Sequence, residues 1–153
     1  MHADVPKTVA LLRSGELAAR YAPWVSVQGH PAGGLVILNY TRETQYAGMW
    51  DEVTLCCRGL IVDTRTWEVA AWPFVKFFNV NERPETAVEA LPHEPFAVYE
   101  KMDGSLGLLY RGPDGPAVAS RGSFTSEQAA RGTALLRQLP GLDAVPEELT
   151  LLF

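Results

Sequence analysis

The sequence predicts an α+β fold in which an antiparallel β-sheet carries a helix at each end. Between residues 24 and 123, short runs of alternating or β-branched residues separated by turn residues indicate strands. Near both ends of the chain, apolar residues recur at helical spacing instead. With 153 residues and 47% hydrophobic content, we expect residues 1–153 to form one domain with its own core.

The first third of the chain predicts a bent helix followed by two strands. Residues 5–20 place apolar side chains at helical spacing, with a break near Ser14. We predict strands at residues 24–28 and 35–40, the second from its length and β-branched content. The polar segment 41–51 predicts a loop over the sheet.

A β-hairpin is predicted next, with strands at residues 53–63 and 67–72. A period of two places Arg58 on the same face as apolar neighbours such as Leu60. Because an unpaired buried charge is costly, Arg58 requires either a salt bridge to an internal acid or an anionic ligand. The sequence leaves both alternatives open.

Residues 73–82 surround Lys76 with three phenylalanines. Aromatic rings of this kind are usually core residues, but that interpretation explains the lysine poorly. A ring stacked on a purine, with a cation near the purine's phosphates, explains both. We therefore expect Phe78 to line a nucleotide pocket and Phe77 to point into the core, because adjacent strand residues face opposite ways.

Lys101 is predicted to lie at the turn of a second hairpin. Its strands are predicted at residues 96–99 and 106–110, and the turn at Asp103-Gly104. A lysine amine becomes a strong nucleophile where burial or neighbouring cations lower its pKa. A solvated hairpin with a lysine near its tip is the simpler interpretation of the same segment.

The rest of the chain predicts a short helix at residues 85–91 and a strand at 117–123. A helix follows, capped by Ser123 or Thr125. Residues 149–153 start a buried strand at which the sequence stops, and a domain seldom ends in this way. We therefore expect the domain to be cut at its C-terminus.

Charge and cysteine content restrict the classes of function. A net charge of −5 argues against nucleic-acid binding through overall charge, so any such contact must be local. Adjacent Cys56 and Cys57 lack the spaced partners of a disulfide framework or a zinc site, and they fit a reducing cytoplasm. No membrane span or secretory signal is visible, so we expect no membrane contact.

Four segments in one order resemble the nucleotidyltransferase domain of the RNA ligase 1 family, typified by the T-even phage enzyme. They are residues 57–60, 76–79, 100–105 and 120–123. The Lys-x-Asp-Gly motif in the third segment is similar to that of polynucleotide ligases and mRNA capping enzymes as well. The resemblance covers roughly residues 35–153 and implies an antiparallel-sheet nucleotidyltransferase domain.

The resemblance also implies a role for each matched residue. Lys101 would be the catalytic nucleophile that becomes adenylated, while Arg58, Lys76 and Arg121 would hold phosphates. The family often has lysine where Arg121 stands, and the two cations differ in geometry. The residues that would contact the nucleotide are Arg58, Lys76, Phe78, Glu100, Asp103, Gly104 and Arg121. No metal ligand is implied within the chain.

The implied activity is that of an ATP-dependent RNA ligase that uses Mg²⁺ or Mn²⁺. Such ligases form lysyl-AMP, pass AMP to an RNA 5′-phosphate, and seal that end to a 3′-hydroxyl. A catalytic glutamate, an acidic metal-associated motif and a Lys-x-Lys motif, which the family carries further on, are missing. We interpret the chain as an N-terminal fragment of such a ligase and expect it to fold but to be catalytically incomplete.

Other interpretations stay open at this point. The chain is alternatively a natural short protein that keeps half of a nucleotide pocket, or a noncatalytic module that binds nucleotide or RNA. A structural β-rich domain would make all four matches accidental. GTP is the alternative to ATP, and the RNA substrate and the oligomeric state are not indicated by the sequence.

Overall fold

The chain begins with two short helices, α1 (Val5–Ser14) and α2 (Glu16–Tyr21). They belong to a computed structural model that describes residues 2–146 and 149–153. Helix α1 is capped at its N-terminus by Asp4, whose carboxylate accepts a hydrogen bond of 2.9 Å from the backbone N–H of Lys7. It ends at Gly15, whose φ of +79° is free of strain only for glycine. The predicted helix with a break near Ser14 is confirmed.

Four antiparallel strands form the larger sheet, in the order β1 (Val25–Gly29), β2 (Leu35–Tyr40), β3 (Arg58–Asp63) and β4 (Val69–Ala71). The predicted strands at 24–28 and 35–40 are confirmed to within one residue. The predicted strand at 53–63 begins only at Arg58, because the Asp51 carboxylate accepts hydrogen bonds from the backbone N–H groups of Val53 (3.0 Å) and Thr54 (2.8 Å). Such local bonds hold the backbone in turns and compete with a sheet ladder.

The predicted loop at residues 41–51 contains a helix, α3 (Arg42–Ala47), so that prediction was wrong for its first half. The side chain of Thr41 caps this helix by accepting a hydrogen bond of 3.3 Å from the backbone N–H of Thr44. Gly48 ends it in the left-handed conformation, at φ +64°. A helix of this length has too few turns for its apolar spacing to be recognised in the sequence.

Strands β5 (Gly107–Gly112) and β6 (Gly115–Ser120) form a second antiparallel sheet, so the predicted single sheet is divided in two. Helix α4 (Glu127–Leu136) follows and packs on β6. Its cap is Ser126 and not Ser123 or Thr125, since the Ser126 hydroxyl accepts a hydrogen bond of 3.2 Å from the backbone N–H of Ala129. The structure therefore confirms a helix at each end and antiparallel strands between them.

The first strand of the predicted Lys101 hairpin does not form. Residues 92–106 contain neither helix nor strand, and the side chains of Phe96, Val98 and Tyr99 are more than 80% exposed. Strand β5 pairs with β6 along one edge, and residues 151–153 hydrogen-bond to the other edge, so both edges are already occupied. The predicted buried strand at 149–153 is thus a short extended segment, half-exposed at Leu149 and Phe153.

The larger sheet is buried on both faces. Helices α1 and α2 cover one face, where the core includes Leu38, Leu60 and Val62. The other face packs on the β5–β6 sheet through Ile37 and Ile61, among others. Burial on both faces explains the nearly continuous apolar sequence of β2 and β3. It also fixes the start of β3 close to the end of β6.

The predicted short helix at residues 85–91 is instead a pair of 3₁₀ turns, at Pro84–Thr86 and Val88–Ala90. Among the helices in the described part of the chain, none is long and apolar enough to cross a lipid bilayer.

Candidate functional site

Two Arg-Gly pairs, at the start of β3 and just after β6, lie side by side. Gly59 has φ +95°, and a Cβ atom added to it would lie 3.2 Å from the carbonyl oxygen of Arg121. A Cβ atom added to Gly122 would lie 3.2 Å from Nδ2 of Asn39 in strand β2. Both glycines therefore permit a close backbone approach that brings Arg58 and Arg121 to one place.

A cavity of about 500 Å³, which we name the polar cavity, opens at this place. It combines residues from three of the four segments that the sequence singled out. The lining residues are Asn39, Arg58, Gly104, Ser105, Leu106, Ser120, Arg121 and Gly122.

The polar cavity contains a donor and an acceptor that no described residue satisfies. Nη1 of Arg58 and Oδ1 of Asn39 are buried, and neither has a hydrogen-bond partner within residues 2–146 and 149–153. The two residues face each other across the β2–β3 pair. A buried polar atom without a partner costs about 1–3 kcal/mol, so ordered water or a ligand is needed to complete this pair.

The second arginine of the polar cavity is held by an aromatic ring. Nη1 of Arg121 donates a hydrogen bond of 3.0 Å to the hydroxyl of Tyr40, and its guanidinium carbon lies 5.0 Å from the Tyr40 ring centroid. The guanidinium of Arg58 lies 5.0 Å from the ring centroid of Phe77. Neither arginine has a carboxylate partner among the described ion pairs, so the cavity keeps its positive charge.

A second cavity of about 340 Å³, the aromatic cavity, lies next to Lys76 and Phe78. The Lys76 amine lies 4.2 Å from the ring centroid of Phe78 and 5.4 Å from that of Trp50. Nε1 of Trp72 is buried without a hydrogen-bond partner in the described residues. The lining residues are His2, Ala3, Trp50, Leu55, Trp72, Val75, Lys76, Phe78, Arg83 and Glu85.

A row of aromatic rings connects the two cavities. The Tyr40 and Trp50 ring centroids are 5.0 Å apart, and those of Trp50 and Phe78 are 5.5 Å apart. Burial lowers the pKa of Lys76; Glu82 opposes this change, and Arg58, Arg121 and Arg83 add to it. The cations of the two cavities are therefore close enough to affect one another's pKa, although they line separate cavities.

The expectation that Phe77 points into the core was wrong. Its side chain is 60% exposed, whereas Phe78 is half-buried and lines the aromatic cavity. Residues 73–79 form no strand, so the alternation on which the expectation rested does not apply.

The Lys101 segment lies at the surface beside the polar cavity. Glu100 is exposed, and Lys101 is 86% exposed and forms an ion pair with Asp103. Of this segment, Gly104 and Ser105 line the cavity. The predicted rigid hairpin is replaced by an irregular segment that presents the lysine to solvent.

Several residues around the cavities were not singled out from the sequence: Asn39, Tyr40, Trp50, Trp72 and Arg83. Asn39 and Tyr40 carried a usable signal, because they end the apolar run of β2 with polar groups. The others carried none that distinguishes them from ordinary core or surface residues.

Potential metal ligands are scattered in the described part of the chain. Within residues 2–146 and 149–153, no three His, Cys, Asp or Glu side chains come together to hold a metal ion. Mg²⁺ is usually held by one or two carboxylates together with substrate phosphates, so a site of that kind would depend on the bound nucleotide.

A sequence profile of RNA ligases, of the T4 RNA ligase 1 type, matches residues 56–150. The chain belongs to this RNA ligase family. The matched range contains the β3 Arg-Gly pair, Lys76, Lys101 and the Arg121-Gly122 pair. The resemblance drawn from four short segments is thereby confirmed at the level of the family.

This RNA ligase family member is similar to part of two longer proteins. A protein of Thermovibrio ammonificans, provisionally named an RNA ligase, is 35% identical over 88 residues, which are 53% of this chain and 21% of that protein. A protein of Autographa californica nuclear polyhedrosis virus is provisionally named a bifunctional polynucleotide kinase/RNA ligase. It is 30% identical over 122 residues, which are 75% of this chain and 17% of that protein. The chain thus spans about a fifth of the length of these relatives.

Proposed function

We propose that this chain is the nucleotide-binding part of the nucleotidyltransferase domain of an ATP-dependent RNA ligase, with Lys101 as the nucleophile. The observation that carries the proposal is the buried Nη1 of Arg58, which has no partner among the described residues and lies in a cavity shared with Arg121 and Gly104. A positively charged cavity with an unsatisfied donor suits a polyphosphate, because hydrogen bonds between a cation and an anion are strong.

The lining residues suggest how the nucleotide is held. Arg58 and Arg121 bind phosphate oxygens, and Oδ1 of Asn39 accepts a hydrogen bond from a ribose hydroxyl or a base amine. Lys76 adds positive charge from the neighbouring cavity. Gly104 and Gly122 have no side chains, so the nucleotide can approach the backbone closely.

Lys101 reaches the nucleotide by a change in its own segment. The exposed Lys101–Asp103 ion pair is weak, since solvent screens it, and can open at little cost. Gly104, at φ +154°, is the point where the segment meets the polar cavity. Rotation of the backbone at this glycine moves Glu100 and Asp103 together with Lys101 and brings the lysine amine to the phosphates.

The proposed chemistry has three steps. The deprotonated Lys101 amine attacks the α-phosphorus of ATP, a P–N bond forms, and pyrophosphate leaves. The AMP then passes from lysine to the 5′-phosphate of RNA, and a 3′-hydroxyl displaces AMP as the phosphodiester forms. Mg²⁺ or Mn²⁺ would neutralise phosphoryl charge when bound.

A noncatalytic nucleotide- or RNA-binding module is the second candidate. The observation that favours it is the 86% exposure of the Lys101 side chain, which lies on an irregular segment. In this case the polar cavity binds a nucleotide and no covalent bond to lysine forms.

Covalent labelling distinguishes the two candidates. The protein, and a longer version of it, is incubated with α-labelled ATP or GTP and with Mg²⁺ or Mn²⁺, and labelled protein is then separated on a denaturing gel. The chain contains three lysines, Lys7, Lys76 and Lys101, so Lys101→Arg and Lys7→Arg form a matched pair of charge-preserving variants.

In the longer version we expect label from ATP that Lys101→Arg abolishes and Lys7→Arg retains, whereas the 153-residue chain should label slowly or not at all. Label that survives Lys101→Arg would remove Lys101 from its proposed role. Nucleotide binding without any label, in both lengths of the protein, would favour the noncatalytic module.

A further inference from the structure

A loop at residues 79–86 is closed by its own hydrogen bonds. The Thr86 hydroxyl donates a bond of 2.8 Å to the carbonyl oxygen of Asn79 and accepts one of 3.1 Å from the backbone N–H of Arg83. The backbone N–H of Asn81 donates a further bond of 2.8 Å to the carbonyl oxygen of Thr86. Local bonds of this kind fix a turn where neither helix nor strand forms, so they hold the backbone of Arg83 in one place.

The loop places Arg83 over the ring of Phe78. The guanidinium carbon of Arg83 lies 4.6 Å from the Phe78 ring centroid, and the Lys76 amine lies 4.2 Å from the same centroid. A ring attracts a cation at either distance. The Trp50 ring contacts the same phenylalanine edge to face, with 5.5 Å between the centroids. The position of Phe78, and of the amine that lies on it, therefore depends on Arg83 and Trp50.

The two cations on this ring differ in their partners. Nε of Arg83 donates a hydrogen bond of 2.7 Å to the carboxylate of Glu85, and the side chain of Arg83 is only 27% exposed. Lys76 has no carboxylate within ion-pair distance among the described residues, although its amine donates a hydrogen bond to the carbonyl oxygen of Phe77. Glu85 therefore holds Arg83 and offsets part of its charge, whereas the charge of Lys76 remains available to an anionic ligand.

We propose that Arg83 is a positioning residue of the nucleotide site. Anchored by Glu85, its guanidinium holds the Phe78 ring, and the ring holds the Lys76 amine where it meets the phosphates of the nucleotide. This inference rests on the proposed function, in which Lys76 adds positive charge for the bound nucleotide. Arg83 lies outside the four segments on which the family resemblance depends, so the resemblance implies no role for it.

Lysine NMR tests the contact without any nucleotide. The chain contains three lysines, so protein labelled with ¹³C at the lysine ε position gives three side-chain signals, which Lys7→Arg, Lys76→Arg and Lys101→Arg assign. A proton over the face of an aromatic ring is shifted upfield, so the ε-proton shift of Lys76 reports its distance from the Phe78 ring. Its titration midpoint reports the neighbouring charges, because burial, the largest cause, and nearby cations that include Arg83 lower the pKa of Lys76.

We expect Arg83→Met, which removes the guanidinium, to move the Lys76 ε-proton signal downfield, towards that of an exposed lysine, and to raise its titration midpoint. Arg83→Lys keeps the charge and loses the planar group, so it should restore the midpoint and not the upfield shift. Arg13→Met is the matched control, since Arg13 also lies over a ring, that of Trp67, and outside both cavities. An unchanged Lys76 signal in Arg83→Met would overturn the inference and leave the Phe77 carbonyl as the group that holds the amine.

Calorimetric titration with ATP measures the consequence for the site. Arg83→Met should weaken ATP binding about two- to fivefold, which corresponds to one lost cation–π contact, and Arg13→Met should not change it. Circular dichroism and urea unfolding show whether Arg83→Met is folded, and Arg83→Lys, which should also weaken binding, carries the test if it is not. ATP binding that is equal in the wild type and in both Arg83 variants would overturn the inference.

The variant Glu85→Gln separates a positioning role from direct contact with a phosphate. If Arg83 acts through Phe78, the loss of its anchor should weaken ATP binding about twofold. If Arg83 binds a phosphate itself, removal of the competing carboxylate should strengthen ATP binding, and this result would overturn the positioning role. A wild-type chain that bound neither ATP nor GTP would overturn the proposed function and with it the nucleotide part of this inference, whereas the lysine signals would still decide whether Arg83 holds Lys76.

Discussion

At the scale of single residues, Arg58 is a side chain whose burial does not stabilise the fold. Its Nη1 atom is buried and has no partner in the described chain, so folding loses the hydrogen bond that this atom makes with water. The cation–π contact with the ring of Phe77, whose centroid lies 5.0 Å from the guanidinium carbon, offsets about 0.5–2 kcal/mol of this cost. Because the cost of the unpaired atom is not clearly offset, we attribute Arg58 to ligand binding and not to the stability of the fold.

Replacing Arg58 by methionine should therefore separate stability from binding. Methionine keeps the length and removes the unsatisfied donor, so we expect the free energy of unfolding in urea to stay the same or to rise by up to about 2 kcal/mol. Nucleotide binding, measured by calorimetry, should weaken at least about tenfold, because a charge-assisted bond to phosphate is lost.

Arg13→Met is the control for this substitution. The Arg13 guanidinium lies 6.0 Å from the ring centroid of Trp67 and outside both cavities, so neither quantity should change much. A large loss of stability in Arg58→Met together with unchanged nucleotide binding would make Arg58 a structural residue.

At the scale of the elements, Gly59 and Gly122 join β2, β3 and the turn after β6. The variant Gly59→Ala should cost about 1–3 kcal/mol or more of the free energy of unfolding, because alanine at φ +95° is strained and its Cβ would lie 3.2 Å from a carbonyl oxygen. Gly29→Ala, in strand β1, has nothing within 4 Å of the added Cβ and no positive φ. It should be nearly neutral, and equal midpoints for the two variants in urea would contradict the close approach.

Helix α2 is joined to the turn before β3 by a hydrogen bond of 3.0 Å from the Tyr21 hydroxyl to the Asp51 carboxylate. Burial, followed by this bond to Asp51, raises the pKa of Tyr21 to about 12. A raised pKa means that the folded state holds the proton more tightly than the unfolded state. The stabilisation is therefore complete below the unfolded value of about 10 and is lost as the pH rises towards 12.

We expect the wild-type free energy of unfolding to fall between pH 9 and pH 11 more steeply than that of Tyr21→Phe, which has no proton to lose there. The difference between the two proteins isolates Tyr21 from the other groups that titrate in this range. Below pH 9 the variant should be less stable by about 1 kcal/mol, the loss of one hydrogen bond. Parallel profiles for both proteins would show that Tyr21 is not coupled to folding.

The elements also show what sequence patterns could and could not predict. The broken N-terminal helix and strands β1 and β2 follow from capping, glycine and apolar periodicity, which act locally. Residues 96–99 carry the same strand signal, yet both edges of β5 are occupied by other segments. Strand pairing is decided by competition between distant segments, which periodicity does not contain.

Some residues of the candidate site could likewise be predicted from the sequence, and others could not. Arg58 was singled out because a cation in an apolar strand violates a local rule, and Arg121 and Gly104 because they lie in motifs. The unsatisfied atoms of Asn39 and Trp72 depend on which residues pack around them, so only the structure reveals them. The separation of Lys76 from Arg58 into two cavities is likewise a result of tertiary packing.

At the scale of the whole molecule, the two cavities and the Lys101 segment lie in one region, connected by the Tyr40–Trp50–Phe78 row. Such an arrangement suits a reaction that brings a triphosphate and a polynucleotide end to the same lysine. The net charge of −5 does not oppose this, because the charge near a ligand is set locally, and Arg58, Lys76, Arg83 and Arg121 line the two cavities.

The chain matches only a small part of the length of its relatives. The matched stretch is 21% and 17% of their lengths, and the family resemblance implies a glutamate, an acidic motif and a Lys-x-Lys motif that residues 1–153 do not contain. Each electrostatic contact missing from a phosphoryl-transfer transition state commonly costs on the order of 10² in rate. We therefore expect the 153-residue chain to fold with its cores intact but to adenylylate Lys101 slowly or not at all.

A longer version of the chain that includes those motifs should label at least about 10²-fold faster with ATP and Mg²⁺ or Mn²⁺, and should seal a 5′-phosphate to a 3′-hydroxyl. The same longer chain carrying Lys101→Arg is the control, since it keeps every added group and lacks the nucleophile. Calorimetric ATP binding should differ far less between the two lengths than the labelling rate does, because Arg58 and Arg121 are present in both. If the 153-residue chain labelled and sealed RNA as fast as the longer one, all groups that the transition state needs would have to lie within these residues or come from a partner chain.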